Sequence, residues 1–289
     1  MNKTSDIATA HAASVPRSIK FSRDWITRPF FGIVLIVVVV AAIVFDRPYL
    51  EIVVAVCAFA AAREWHRMVG NGSFGVELAA TAATLWLMLA AFLLWPQGFR
   101  PEIILACGAL IVLAVGRLRR NNPLWQAAGV FYLGVPSVAI VTLRAIPEQG
   151  AWLLVGLFIV VWATDTGALI AGNLIGGPKL APGLSPNKTW SGTIGGIAAA
   201  AILLAAYIAI IGGNAVAAVF FGAGLAVVAH LGDLFESLVK RIFRTKDSGG
   251  LIPGHGGVLD RIDSTLFASV ALAIAVFAFH FDPLFGAHP

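Results

Sequence analysis

The sequence predicts an all-α, polytopic integral membrane protein with about nine transmembrane helices. Three observations predict it. Of its 289 residues 59% are hydrophobic and only 12% are charged, where a soluble domain carries roughly 25% charge. The apolar residues gather into long continuous runs rather than short alternations, which indicates helices and not strands. At about 20 residues per crossing, the roughly 170 apolar residues suffice for eight or nine spans. Disorder, a coiled coil and a water-soluble enzyme with a single core are excluded.

The runs fall at 29–45, 48–63, 76–95, 101–116, 124–143, 151–174, 193–211, 215–238 and 262–281. The second and fourth are short for a crossing, so tilt, local thinning or longer true boundaries are needed there. Pro48, Pro101 and Pro123 stand at segment starts, where a missing N–H costs little. Residues 1–28 hold Lys3, Arg17, Lys20, Arg23 and Arg28 without apolar periodicity. They read as a cytosolic arm, and the run from Phe30 as a signal anchor with no small-residue cleavage site behind it. Residues 29–150 form an N-terminal set of helices. Residues 151–289 are expected to form a second membrane region, the one that carries the chemistry-bearing side chains, with polar loops at 176–192 and 239–261. Cys57 and Cys107 lie in separate apolar runs and read as buried small hydrophobes, not as a disulfide or metal site.

Nine crossings with a cytosolic N-terminus make a testable charge pattern. Seventeen of the 20 Lys and Arg fall inside, leaving only Arg47, Arg100 and Arg144 outside. That bias satisfies the positive-inside rule and makes both polar loops cytosolic. The net charge of +5 is not gathered into a soluble basic domain, so nucleic acid is not an expected partner. Anionic lipid and phosphorylated small molecules fit better.

The second half carries ionisable groups where the first has almost none. Asp165 sits within the sixth run, and His230, Asp233 and Glu236 within the eighth. Acids at membrane depth are costly unless paired or hydrated, and so are candidates for function. On a helix Asp233, Ser237, Lys240 or Arg241, and Arg244 form one polar stripe. The stripe reads as functional or as a packing seam. Glu236 falls off it and reads as a structural or interfacial charge.

Next comes Lys246-Asp247-Ser248-Gly249-Gly250, then Pro253-Gly254-His255-Gly256-Gly257. Backbone without Cβ atoms can approach phosphate closely. His255 reads equally as a phosphate contact, an acid/base group or a loop-shaping residue. Asp260-Arg261-Ile262-Asp263 opens the last helix with two carboxylates on one side. Capping of the helix start is the plainer role for either. Three carboxylates, Asp233, Asp260 and Asp263, among Lys and Arg suggest Mg²⁺ shared with a polyphosphate. Zinc is not expected without cysteines and with dispersed histidines. In the other loop Lys179 and Lys188 are the cations, with Ser185, Asn187 and Thr189 as hydrogen-bonding groups. Trp190 reads as an interfacial anchor, or as a platform for a base.

The run from Ser237 to Asp263 resembles the signature of the phosphatidate cytidylyltransferases, or CDP-diacylglycerol synthases. It carries Lys240, Arg241, Lys246-Asp247, Pro253-Gly254-His255-Gly256-Gly257, Asp260-Arg261 and Asp263 at fixed spacing. Similarity extends back through Gly232-Asp233 and the Lys179 to Trp190 loop to Asp165, covering roughly 155–275. Gly177 departs from a commonly basic position, and Ser191 from a position that is often Glu or Gln.

The resemblance implies that CTP and phosphatidic acid react to give CDP-diacylglycerol and pyrophosphate, with Mg²⁺ required and K⁺ beside it. It implies Asp233 and Asp260 as metal ligands and Asp263 as a further essential acid. It also implies a homodimer in a bacterial-type inner membrane with the active site facing the cytosol. Lys240, Arg241, Lys246 and Arg261 are the expected phosphate contacts, with Ser237, Lys179, Ser185, Lys188 and Thr189 beside them. His255, Gly256 and Gly257 are expected to shape the nucleotide pocket. Two alternatives stand beside this reading: a CTP-dependent enzyme using another lipid acceptor, and an ion-coupled transporter. Transport would place acids near mid-membrane and broken helices in both halves; here the acids crowd one end of the second half.

Overall fold

The computed structural model describes residues 24–45, 47–70, 75–250 and 256–280, with residues 24–31 described as backbone only. Most of the N-terminal arm, Lys3 to Arg23, and His255 lie outside the described residues. Among those described, the chain forms nine α-helices: α1 (Asp24–Val44), α2 (Tyr49–Val69), α3 (Val76–Leu94), α4 (Pro101–Leu118), α5 (Pro123–Arg144), α6 (Gly150–Ile175), α7 (Trp190–Ile210), α8 (Ala215–Ile242) and α9 (Leu259–Phe277). A 3-10 turn, Pro96–Gly98, precedes α4. Pro101 and Pro123 open α4 and α5, and Pro48 is the N-cap of α2.

The protein is an all-α polytopic membrane protein. Six helices, α3 to α8, are long and apolar enough to cross a membrane by length and composition. The second run, short in the sequence, becomes a helix of 21 residues because α2 continues through Arg63, Glu64 and Arg67. Those charges, and Asp260, Arg261 and Asp263 at the start of α9, make these two helices less apolar than the other six.

Chain alternation gathers the loops at two ends. At one end Arg144 Nε donates to the Ile43 carbonyl at 2.8 Å, and Arg47 pairs with Glu51 and lies over the Phe92 ring. At the other, Arg119 faces Glu77, Asn122 Nδ2 donates to Val69 O at 2.6 Å, and Arg241 Nε donates to Leu184 O at 3.1 Å. The basic residues expected on one side of the membrane, among those described, lie at this second end. Cys107 is exposed on α4, not buried as its apolar setting suggested, and Cys57 is half-buried. An outward cysteine on an apolar helix meets lipid as readily as a valine would.

The loop at 176–192 is more ordered than a polar linker. It contains a hairpin of β1 (Lys179–Ala181) and β2 (Ser185–Thr189), antiparallel, with Lys179 opposite Thr189 and Ala181 opposite Ser185. Pro182, Gly183 and Leu184 make its turn, where proline and glycine suit the required backbone. Thr189 then caps α7, its Oγ1 accepting from Gly192 N at 3.1 Å.

Small residues hold α6 against α7. A Cβ at Gly167 would come within 2.9 Å of the Gly195 carbonyl, and one at Gly195 would overlap Ala171. Without a hydrophobic drive between helices in lipid, such close backbone approach supplies the packing energy. α9 packs against α2, α5, α6 and α8, so its first turn is surrounded by helices from both halves of the chain. The hydrophobic core is shared likewise: Trp65, Leu133, Leu157 and Leu272 are all almost fully buried in it.

Candidate active site

α8 arrives at the charged end carrying Asp233, Glu236, Ser237 and Lys240, and α9 departs from it carrying Asp260 and Asp263. The stripe foreseen on α8 divides in two. Ser237 Oγ donates to Asp233 Oδ1 at 3.5 Å. Lys240 turns instead to Glu236, with Nζ at 2.6 Å from Oε2, and to Asp260, at 2.8 Å from Oδ1. Glu236 is fully buried. It is therefore a member of the charged network and not an interfacial residue, which its position off the stripe had concealed.

Asp260 is the most heavily bonded acid of the group. Besides Lys240, its Oδ2 accepts from Gly257 N at 2.9 Å and Ser248 N at 3.3 Å. The carboxylate thereby ties the glycine loop to α9 while remaining part of the cluster; it accepts from residues ahead of the helix and does not cap α9 as an N-cap side chain would. Gly256 adopts φ +79° beside it, a left-handed conformation that glycine takes without strain. Asp263 is buried, accepts from Ser264 N at 2.6 Å, and interacts electrostatically with Asp233, Glu236 and Asp165.

A polar cleft of about 480 Å³ opens between α6, the hairpin, α7 and α8. Asp165, Lys179, Lys188, Thr189, His230 and Asp233 line it. Lys188 forms an ion pair with Asp233. Thr189 is buried and its hydroxyl contacts Ser191, whose own hydroxyl donates to the Gly176 carbonyl. A second, narrower cavity of about 100 Å³ lies between α1, α2, α5, α6 and α9. Leu133, Phe158, Trp162 and Leu266 make it apolar, and Arg261 stands in its wall. Arg261 also acts electrostatically on Asp165, and Asp165 lies one turn from Trp162, so α6 contributes to the walls of both cavities.

Of the remaining expected contacts, Arg241 pins the hairpin through Leu184 O, and Lys246 lines a further polar cleft with Arg67 and Ser248. Ser185 is half-buried within β2. Trp190 is exposed at the head of α7, where an interfacial anchor belongs.

Among the buried polar atoms near the acids, Tyr132 Oη, His230 Nε2 and Glu236 Oε1 have no hydrogen-bond partner among the described residues. Tyr132, from α5, lies within the electrostatic reach of Asp263, Glu236 and Asp233. Buried groups left unsatisfied in this way are uncommon and concentrate where a ligand or ion completes the set. The carboxylates of Asp233, Asp260 and Asp263 offer oxygen ligands, which suit a hard cation such as Mg²⁺. No three His, Cys, Asp or Glu side chains among the described residues converge tightly enough to hold an ion alone. Mg²⁺ asks for less, one or two carboxylates, and takes its other ligands from phosphate and water. The residues fit that ion.

Sequence reasoning passed over Glu64 and Tyr132. Glu64 is almost fully buried and lies against the glycine loop, with Val258 N and Leu259 N donating to it. Its signal was a carboxylate in the last turns of a helix next to an apolar run. Tyr132 had none, being one aromatic residue within an apolar helix.

The fold and the site define a polytopic membrane protein whose basic and acidic side chains enclose a phosphate-compatible cleft at one end of its helices. The sequence from 26 to 279 matches the model of the cytidylyltransferase family. A phosphatidate cytidylyltransferase of Brucella suis biovar 1 (strain 1330) is 42% identical over 216 residues, covering 70% of this chain and 79% of the relative. One from Rickettsia bellii (strain RML369-C) is 38% identical over 178 residues, 56% of this chain and 76% of the relative. One from Haemophilus influenzae is 43% identical over 156 residues, 50% of this chain and 54% of the relative. The chain belongs to the cytidylyltransferase family.

Proposed function

We propose that the protein is a phosphatidate cytidylyltransferase, transferring the cytidylyl group of CTP to phosphatidic acid to give CDP-diacylglycerol and pyrophosphate. The observation that carries this reading is that α6 walls two unlike cavities, with Trp162 in one and Asp165, a turn away, in the other. The polar cleft with Lys188 and Asp233 suits a nucleotide triphosphate. The apolar cavity with Arg261 in its wall suits acyl chains beneath a phosphate headgroup.

The lipid phosphate is already an anionic nucleophile at neutral pH. One of its oxygens bonds to the α-phosphorus of CTP while the α–β bridging P–O bond breaks, its electron pair leaving with pyrophosphate. No strong general base is required. The obstacle is bringing two anions together, which positioning and electrostatics address. Asp233, Asp260 and Asp263 would hold Mg²⁺, which when bound neutralises phosphate charge and favours the departure of pyrophosphate. Lys188 and Lys240, which neutralise Asp233 and Asp260, are then placed to face phosphate oxygens. Lys246 and Arg261 approach from the glycine loop and α9, and Arg241 keeps the hairpin against α8.

The charge bias supports a cytosolic site in a bacterial inner membrane, and the resemblance supports a homodimer with K⁺ beside the Mg²⁺. The deciding experiment supplies radiolabelled CTP with phosphatidate, or with a polyprenyl phosphate, in mixed micelles. Label entering the lipid fraction only with phosphatidate, with equal release of pyrophosphate, is the expected result. Label entering only with another acceptor would transfer the reading to that lipid, and no label with any acceptor would refute it.

A further inference from the structure

Glu64 is a carboxylate of the first five helices that reaches the glycine loop and the start of α9. Only 2% exposed, it lies near the end of α2. Its Oε1 accepts from Val258 N at 3.0 Å, and its Oε2 accepts from Leu259 N at 2.8 Å and from the Ser248 hydroxyl at 3.3 Å. The first amides of a helix have no intrahelical partner and carry the positive end of its dipole. A side chain at the N-cap normally satisfies them, but here the N-cap is Val258, which has no polar group. The cap is supplied instead from 195 residues away.

The glycines beside it have a steric reason. A Cβ at Gly257 would come within 2.5 Å of Glu64 Oε2, and one at Gly249 would overlap Oε1. The loop therefore closes on the carboxylate from both sides, with Ser248 next to Gly249 and Val258 next to Gly257. Asp260 follows Leu259 directly, and Asp263 lies one turn further on. Their directions depend on where that first turn sits.

We infer that Glu64 is a positioning residue for the transfer reaction: it fixes the glycine loop and the first turn of α9 so that Asp260, Asp263 and Lys240 keep their arrangement. This rests on the cytidylyl-transfer reading of the site. Full negative charge and two accepting oxygens are both used. A glutamine keeps the shape but turns an N–H₂ toward a backbone N–H. An aspartate keeps the charge but sits one methylene short.

The test uses the full-length protein in detergent, with CTP, Mg²⁺ and phosphatidate, as wild type, Glu64→Gln, Glu64→Asp and Leu204→Ala. The last truncates a buried side chain on α7 and serves as a stability control. The expected result is a kcat about 10- to 100-fold lower for Glu64→Gln, with the aspartate intermediate and Leu204→Ala near wild type. Amide hydrogen exchange should quicken at residues 256–259 in the glutamine variant and remain slow in the control. If Glu64→Gln does not fold, the aspartate carries the same comparison. Wild-type kcat together with wild-type exchange at Val258 and Leu259 would overturn the inference, as would an equal loss of kcat in the control. The exchange measurement needs no turnover, so failure of the cytidylyl-transfer reading and failure of this one are separable.

Discussion

Lys240→Met tests the charged network by removing the one ammonium that two carboxylates share. In the structure Lys240 Nζ sits 2.6 Å from Glu236 Oε2 and 2.8 Å from Asp260 Oδ1. Side-chain exposure is 15% for the lysine, 1% for Glu236 and 14% for Asp260, so water screens the cluster poorly. Two charge-assisted hydrogen bonds are lost, each contributing about 1.5–3 kcal/mol. Two like charges are also left facing each other, one of them buried. Breaking a buried pair from one side costs about 3–5 kcal/mol, and the methionine recovers little because the vacated site is polar. For a chain of this size that is a fall in Tm of about 6–20 °C.

The assay is a thermal unfolding curve in detergent, read by size-exclusion recovery after heating, with the half-life at one temperature as a check on irreversibility. The double variant Glu236→Gln/Lys240→Met should recover half or more of the loss, since the buried charge goes with its partner. A Lys240→Met protein within about 1 kcal/mol of wild type would show that the bridge behaves as a surface pair, and the account of the network would be wrong. So would a double variant less stable than the single one.

Asp233→Asn, Asp260→Asn and Asp263→Asn should each lower CTP turnover by about 100-fold or more, while each protein still elutes as a folded species. Near-wild-type turnover in all three would remove the metal assignment. Chelation by EDTA should abolish turnover in the wild type and added Mg²⁺ should restore it, measured as pyrophosphate release. Gly195→Val should lower stability by about 1–3 kcal/mol, seen as a lower Tm, because its side chain has no room against Ala171 across the α6–α7 seam.

Much of this was legible because membrane physics writes in long runs. The start of every described helix falls within a few residues of an apolar run, and Pro101 and Pro123 mark two of them. The acids of the second half were visible for the same reason: Asp233 and Glu236 interrupt a run that has no soluble face to offer them. What the sequence hides is side-chain direction. Glu236 and Lys240 are one turn apart, and spacing alone put Lys240 with Asp233; packing against α9 turned it to Asp260 instead. The hairpin was hidden by its brevity, since three- and five-residue strands leave no periodic trace.

The first five helices carry no motif that spacing alone could read, yet the site depends on them for more than anchorage. Trp65 on α2 donates through Nε1 to the Trp125 carbonyl at 2.9 Å, and its ring packs on Tyr132. Tyr132 packs in turn on Phe235 of α8 and Phe267 of α9. An aromatic wall from the first half thus backs the helices that carry Asp233 and Asp263, one residue after Trp65's neighbour Glu64 has capped α9. Both contacts issue from consecutive positions on one turn of α2, so that helix cannot shift without disturbing the loop and the acids together. Bulk and placement count in such a scaffold, and Glu64 adds the charge that caps α9. On this view the helices that carry no catalytic motif determine where the catalytic groups point.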